Sequence, residues 1–164
     1  MGTRALYGFS YKGESKIGYC QMDGYPDCLG RKMLIFCRKK SLKKMRKCFK
    51  KIIMVDLDSR PTQTQILMCM PWLDLNVSNK SADDWYCLLR KTQGEISAYF
   101  GKGKCEYMLD SSKIENFEYK YIINLDTGKL EFWSNGKDLT LDSEVDLRDK
   151  SEVDEAIDGY EGAY

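Results

Sequence analysis

The sequence contains no histidine. That absence removes Ser-His-Asp and Cys-His catalytic arrangements, along with the side chain that most often moves protons at neutral pH. Acid-base chemistry would fall to perturbed carboxylates, Lys, Tyr or Cys. The seven cysteines, at 20, 28, 37, 48, 69, 87 and 105, include no C-x-x-C pair, so a zinc site would have to be gathered from scattered thiols, and no metal or cofactor is expected. An odd cysteine count without a secretory apolar segment predicts reduced thiols in a cytoplasmic setting, most of them packed as small hydrophobes. No apolar run approaches the roughly 20 residues that cross a bilayer, so no membrane partner is expected. The Met1-Gly2 start suggests N-myristoylation, but Leu6 stands where that signal needs Ser or Thr.

What is present fits one folded domain. A chain of 164 residues with 43% hydrophobic and 12% aromatic side chains has the length and composition to bury a core. The segment 3–9 alternates as a strand, 12–15 supplies turn residues, and 16–21 returns as the second arm of a hairpin. The clearest local signal is 119–133, two β-rich runs around Asp126-Thr127-Gly128, which predicts a second hairpin. Between them, Thr62 is placed to cap a helix that Pro71 closes, and Ser81 with Asp84 precedes a short helix at Trp85. Ile96, Ala98 and Phe100 predict a further strand, turning through 101–104 into 105–109. The expected fold is α+β: an antiparallel sheet built from the N-terminal and C-terminal hairpins, with helices from the middle of the chain. The single domain is expected to cover 1–137. From 138 the chain has ten acids against Arg148 and Lys150 and little apolar content after Leu147, which predicts a mobile acidic tail over 138–164.

Charge is strongly segregated, although the net is only +1. From Arg31 to Lys51 there are eleven Lys and Arg and no acid. Leu42, Met45, Phe49 and Ile52 follow helical spacing through the second half, so one face is apolar and the other cationic. Ser41 marks a break between two helices, and Lys39, Lys40, Lys43, Lys44, Lys47, Lys50 and Lys51 make a candidate basic surface. The bland reading is a solvated helix face. The functional one is a surface for nucleic acid or an acidic partner, with the acidic tail able to compete for it.

The 19–30 stretch, Tyr-Cys-Gln-Met-Asp-Gly-Tyr-Pro-Asp-Cys-Leu-Gly, joins the first hairpin to the basic region, and Gly24 and Pro26 break regular structure there. With Met1-Gly2-Thr3-Arg4, the residues Tyr19, Asp23, Tyr25, Pro26, Leu29 and Gly30 resemble a family of small proteins from phages, bacteria and fungi. Its members begin Met-(Cys/Gly)-Thr-Arg-Gly and carry a Tyr-Asn-His-x-Asp-Ser-Tyr-Pro-x-Gly-Leu-Gly motif. Asp84-Trp85-Tyr86 and the 121–132 hairpin extend the likeness over most of the first 133 residues. Cys-first members look somewhat like N-terminal-nucleophile amidohydrolases. This chain departs at two places: Gly2 offers no nucleophile, so Thr3 would serve only after loss of Met1 and Gly2, and Gln21 stands where the family has His.

Arg4, Tyr19, Gln21, Asp23 and Tyr25 are the candidate ligand-binding residues. Asp23 among aromatics is the candidate perturbed acid, against a turn aspartate bonding its own backbone. Arg4 is a candidate anion contact, against an ion pair with Asp23. The favoured function is a non-catalytic binding protein; the resemblance implies a phage-encoded inhibitor of a host or immune (anti-defence) component. It would act by covering a protein surface or sequestering a small ligand. The alternatives are an N-terminal-nucleophile-like amidohydrolase, using the N-terminus or Cys20, and a nucleic-acid binder working through the basic helix.

Overall fold

A computed structural model describes residues 2–160. The chain enters as β1 (Ala5–Tyr11) and returns as β2 (Glu14–Cys20), antiparallel in the register Ala5↔Cys20 to Tyr11↔Glu14. A π-helical turn over Pro26–Gly30 runs directly into α1 (Arg31–Lys39) and then α2 (Leu42–Lys51). Ser41 separates the two helices and caps α2, its side chain accepting from the Lys44 N–H at 3.2 Å. β3 (Ile53–Val55) follows, then α3 (Gln63–Cys69), opened by a full capping box of Thr62 and Gln65. After α4 (Trp85–Leu88), capped by Asp84, come β4 (Tyr107–Leu109), β5 (Tyr119–Asn124), β6 (Lys129–Asn135), β7 (Leu139–Asp146) and α5 (Lys150–Gly159).

The fold is α+β, but the sheet is mixed. Its order is β2-β1-β5-β6-β7, and β1 pairs with β5 in parallel, from Ala5↔Tyr119 to Ser10↔Asn124. Both expected hairpins form; the expectation of a wholly antiparallel sheet is corrected at the seam between them. Alternation and turn chemistry specify pairing within a hairpin. How two hairpins meet depends on where the intervening helices return the chain. A second departure lies at 96–109. Ile96–Tyr99 is a 3₁₀ turn rather than a strand, and β4 pairs in parallel with β3. Ile96 and Tyr99 are buried all the same, so their apolar spacing serves the core without a ladder.

The expected boundary at 137/138 and mobile tail are also corrected. Residues 139–146 form an edge strand on β6, with Val145 opposite Leu130, and 150–159 form a helix against the core. Asp149 caps α5 by accepting from the N–H groups of Ser151 and Glu152. Val153 is buried, and Ile157 and Tyr160 pack against the same cluster, the i, i+4, i+7 spacing of a helix face. Charge content hid these few apolar positions. Residues 161–164 of that stretch, like Met1, lie outside the described residues.

One sheet face carries Ala5, Tyr7, Phe9, Tyr121 and Ile123 into the main core under α1 and α2. The other carries Leu6, Ile17 and Ile122 into a small cluster closed by Phe117, the period-2 alternation of the strands. Lys16 joins sheet to helix. It is buried, and its Nζ donates to the carbonyls of Phe49 at 2.6 Å and Ile52 at 2.7 Å, satisfying orphan acceptors at the C-terminus of α2.

Candidate functional site

The five candidate ligand-binding residues do not converge. Arg4 is committed to Glu118, not to Asp23: its backbone N–H donates to one carboxylate oxygen at 2.7 Å, and its guanidinium donates to the other at 2.7 Å. That hydrogen bond holds the Glu118 carboxyl below the usual glutamate range. Tyr19 donates its hydroxyl to Gln21 Oε1, and the Gln21 N–H donates to Gln93 Oε1 at 3.0 Å; burial raises the Tyr19 phenol. Tyr19 otherwise lines a crevice of only about 20 Å³ with Tyr86. The Tyr25 carbonyl accepts from the N–H groups of Cys28 and Gly30, and its ring lies 6.5 Å from that of Tyr119. These four residues serve the loop and its anchorage. Asp23 alone reaches a sizeable cavity, held in the left-handed region at φ 60.

The loop is pinned from both sides. The Gly24 N–H donates to the Thr3 carbonyl at 2.9 Å, and its own carbonyl accepts from the Tyr121 hydroxyl at 2.6 Å. A Cβ on Gly24 would stand 2.7 Å from Ala5 Cβ; one on Gly30 would stand 2.9 Å from the Phe132 ring. The beginning of the chain, the loop and the second hairpin therefore lock together through glycines that admit no side chain.

Cys20, the thiol considered as a nucleophile, is not activated. Cys20 is buried, its S–H donates to the Met22 carbonyl at 2.9 Å, and burial raises its pKa, which withholds the nucleophilic thiolate. Cys69 and Cys105 are both buried, and Cys105 donates its S–H to the Tyr107 carbonyl at 3.2 Å. Among the described residues no group of His, Cys, Asp or Glu side chains converges to hold a metal ion.

The basic surface is where exposed charge does gather. Lys39, Lys43, Lys44, Lys47, Lys50 and Lys51 are exposed and Lys40 is half-buried. Among the described residues none of them has an ion-pair partner. Two adjoining cavities flank α2. One, of about 400 Å³ at the α1–α2 elbow, is lined by Arg38, Lys39, Lys40 and Lys44 together with Arg148 and Lys150 from the other end of the chain. The second, of about 320 Å³, is lined by Lys40, Lys44, Lys47 and Lys51 with Lys104. Lys40 and Lys44 belong to both, and no acid lines either among the described residues. The acidic C-terminal segment meets this region at two arginines, Arg38, which donates to Asp154 at 2.7 Å, and Arg148, which donates to Asp146 at 3.1 Å, so it neutralises the edge of the basic surface and leaves the α2 lysines exposed.

Sequence reading named the α2 lysines and missed Arg148 and Lys150, which arrive from a distant segment; Lys104 belongs to the Gly-Lys-Gly-Lys turn at 101–104, a weak phosphate-loop signal that its hairpin reading outweighs. It also missed the charged residues facing Asp23: Asp27, Arg31, Lys32, Arg90 and Glu95. A lone Arg or Lys in a loop or first helical turn carries no signal by itself. No family model, curated protein or solved structure matches the chain. No helix among the described residues is long and apolar enough to cross a membrane.

Proposed function

We propose that this is a non-catalytic binding protein whose basic face holds the phosphate backbone of a nucleic acid. The observation that carries this reading is the pair of adjoining cavities around α2, lined by cations from three separate stretches of the chain and by no acid among the described residues. Folding alone does not call for such a surface. Along α2 the pairs Lys43/Lys47 and Lys47/Lys51 set like charges at i, i+4 spacing, each destabilising by roughly 0.2–0.5 kcal/mol. Lys43 and Lys44 also stand in the first turn with no acid there, on the wrong end of the helix dipole.

The composition of the face favours phosphate over an acidic protein surface. Protein interfaces bury aromatic, Met and Arg anchors and are depleted of Lys. Here the exposed large apolar residues lie elsewhere, chiefly from Ile53 to Leu75, and the face is mostly lysine. Phosphate contacts through such ammonium groups position a strand without reading its sequence.

The test is fluorescence-anisotropy binding of a mixed-sequence single strand and a duplex to the full chain over a salt series. The expected result is a linear fall of log affinity with log salt, with a slope of about 0.9 per phosphate contacted on duplex and about 0.7 on single strand. A flat salt dependence, or affinity unchanged when Lys44, Lys47 and Lys51 are all replaced by Gln, would overturn it.

A further inference from the structure

A second cavity, separate from the basic face, gathers charges of both signs. It has a volume of about 510 Å³, within the range of small-molecule sites. It lies between the 19–30 loop, the first turn of α1 and the 90–95 segment. Its walls are already set. Asp23 is in the left-handed region at φ 60, Gly24 is hydrogen-bonded at both its N–H and its carbonyl, and Gly94 turns the facing wall at φ 75. An occupant would therefore bind without first ordering the loop.

The charges lining it are unequally used. Lys32 is paired with Glu95. The carboxylates of Asp23 and Asp27 have no hydrogen-bond or ion-pair partner among the described residues. The Nε of Arg90 is buried and has none either, and no hydrogen bond or ion pair to a described residue engages this guanidinium, which lines the cavity. Cys20 lies between them. It lines the same cavity as Arg90, Lys32 and Asp23, and burial raises its thiol pKa, which withholds the Cys20 thiolate.

A plain anion would meet Arg90 and Arg31 but face two carboxylates; a plain cation would do the reverse. The geometry points to a small zwitterion of the α-amino-acid type, its carboxylate held by Arg90 and its ammonium between Asp23 and Asp27. This site is independent of nucleic-acid binding, because none of its lining residues belongs to the α2 face.

The experiment is saturation-transfer NMR and thermal-shift titration of the full chain. The probes are a panel of free L-α-amino acids, their N-acetylated forms, which keep only the anion, and their amides, which keep only the cation. At least one free amino acid should bind, with both blocked forms of it weaker by about tenfold or more. Arg90→Gln and Asp23→Asn should each remove that binding. Asn is tolerated in the left-handed region nearly as well as Asp, so D23N deletes the charge and keeps the loop, which circular dichroism checks. The proposal is overturned if no free amino acid binds, if a singly charged form binds equally well, or if D23N binds as the parent does.

Discussion

The 19–30 loop and helix α2 both stand out in the sequence, and the structure explains them in opposite ways. The loop is conspicuous because its glycines and Gln21 hold the junction together: Gly24 fits against β1, Gly30 against the rings of Phe132 and Tyr121, and Gln21 on Gln93. The α2 lysines are conspicuous because none of them has an ion-pair partner among the described residues. Lys16 is the instructive contrast, a lysine that the fold does use, buried on the last carbonyls of the same helix. An unusual motif can thus mark a tight junction, while an ordinary-looking lysine run marks the exposed surface open to a ligand.

That contrast can be broken by experiment. The largest expected effect is on the loop side. Gly24→Ala or Gly30→Ala forces a Cβ within 3 Å of packed atoms and should cost about 1–3 kcal/mol in denaturant unfolding, with oligonucleotide affinity unchanged where the protein is folded. Unaltered stability would show that the loop is not the junction described. Next, Tyr121→Phe removes the hydroxyl that Gly24 accepts at 2.6 Å and should cost about 1–2 kcal/mol, since a buried carbonyl is left unsatisfied.

On the α2 side the order reverses. Replacing Lys44, Lys47 and Lys51 by Gln should leave stability within about 0.5 kcal/mol, while the salt slope of oligonucleotide binding falls by about one unit per lysine. A large loss of stability would mean that these lysines are structural after all.

The smallest effect concerns the Arg4–Glu118 pair. The folded carboxyl is held below its ordinary value by the Arg4 hydrogen bond, so its contribution is present above the unfolded glutamate pKa of about 4.3. It is lost as pH falls through the depressed folded value. The midpoint difference between the parent and Glu118→Gln should be constant near neutrality and shrink below about pH 4.3, remaining small throughout because the pair is partly exposed.

Local signals were legible where neighbours in sequence are neighbours in space. The two hairpins, the break at Ser41, the Thr62 cap, the close of α3 before Pro71 and the amphipathic α2 are all of this kind. The mobile tail was misread because abundant acid outweighed Val145, Val153, Ile157 and Tyr160, whose value depends on the core they meet. The candidate site was half legible. Asp23, the lysines of α2 and the Gly-Lys-Gly-Lys turn that carries Lys104 came from composition and turn chemistry, but Arg90 carries no local mark.

By itself, then, the sequence determined the α+β class, the loss of histidine chemistry and the segregation of charge, because these follow from residue type, period and turn chemistry. Only the tertiary structure decided that the hairpins join in parallel, that Arg4 belongs to Glu118, and that Arg148 and Lys104 complete the basic face while Arg90 faces Asp23. Each of those pairings spans a long stretch of chain. Close approach between distant segments is set by how the helices pack on the sheet, which no local pattern encodes.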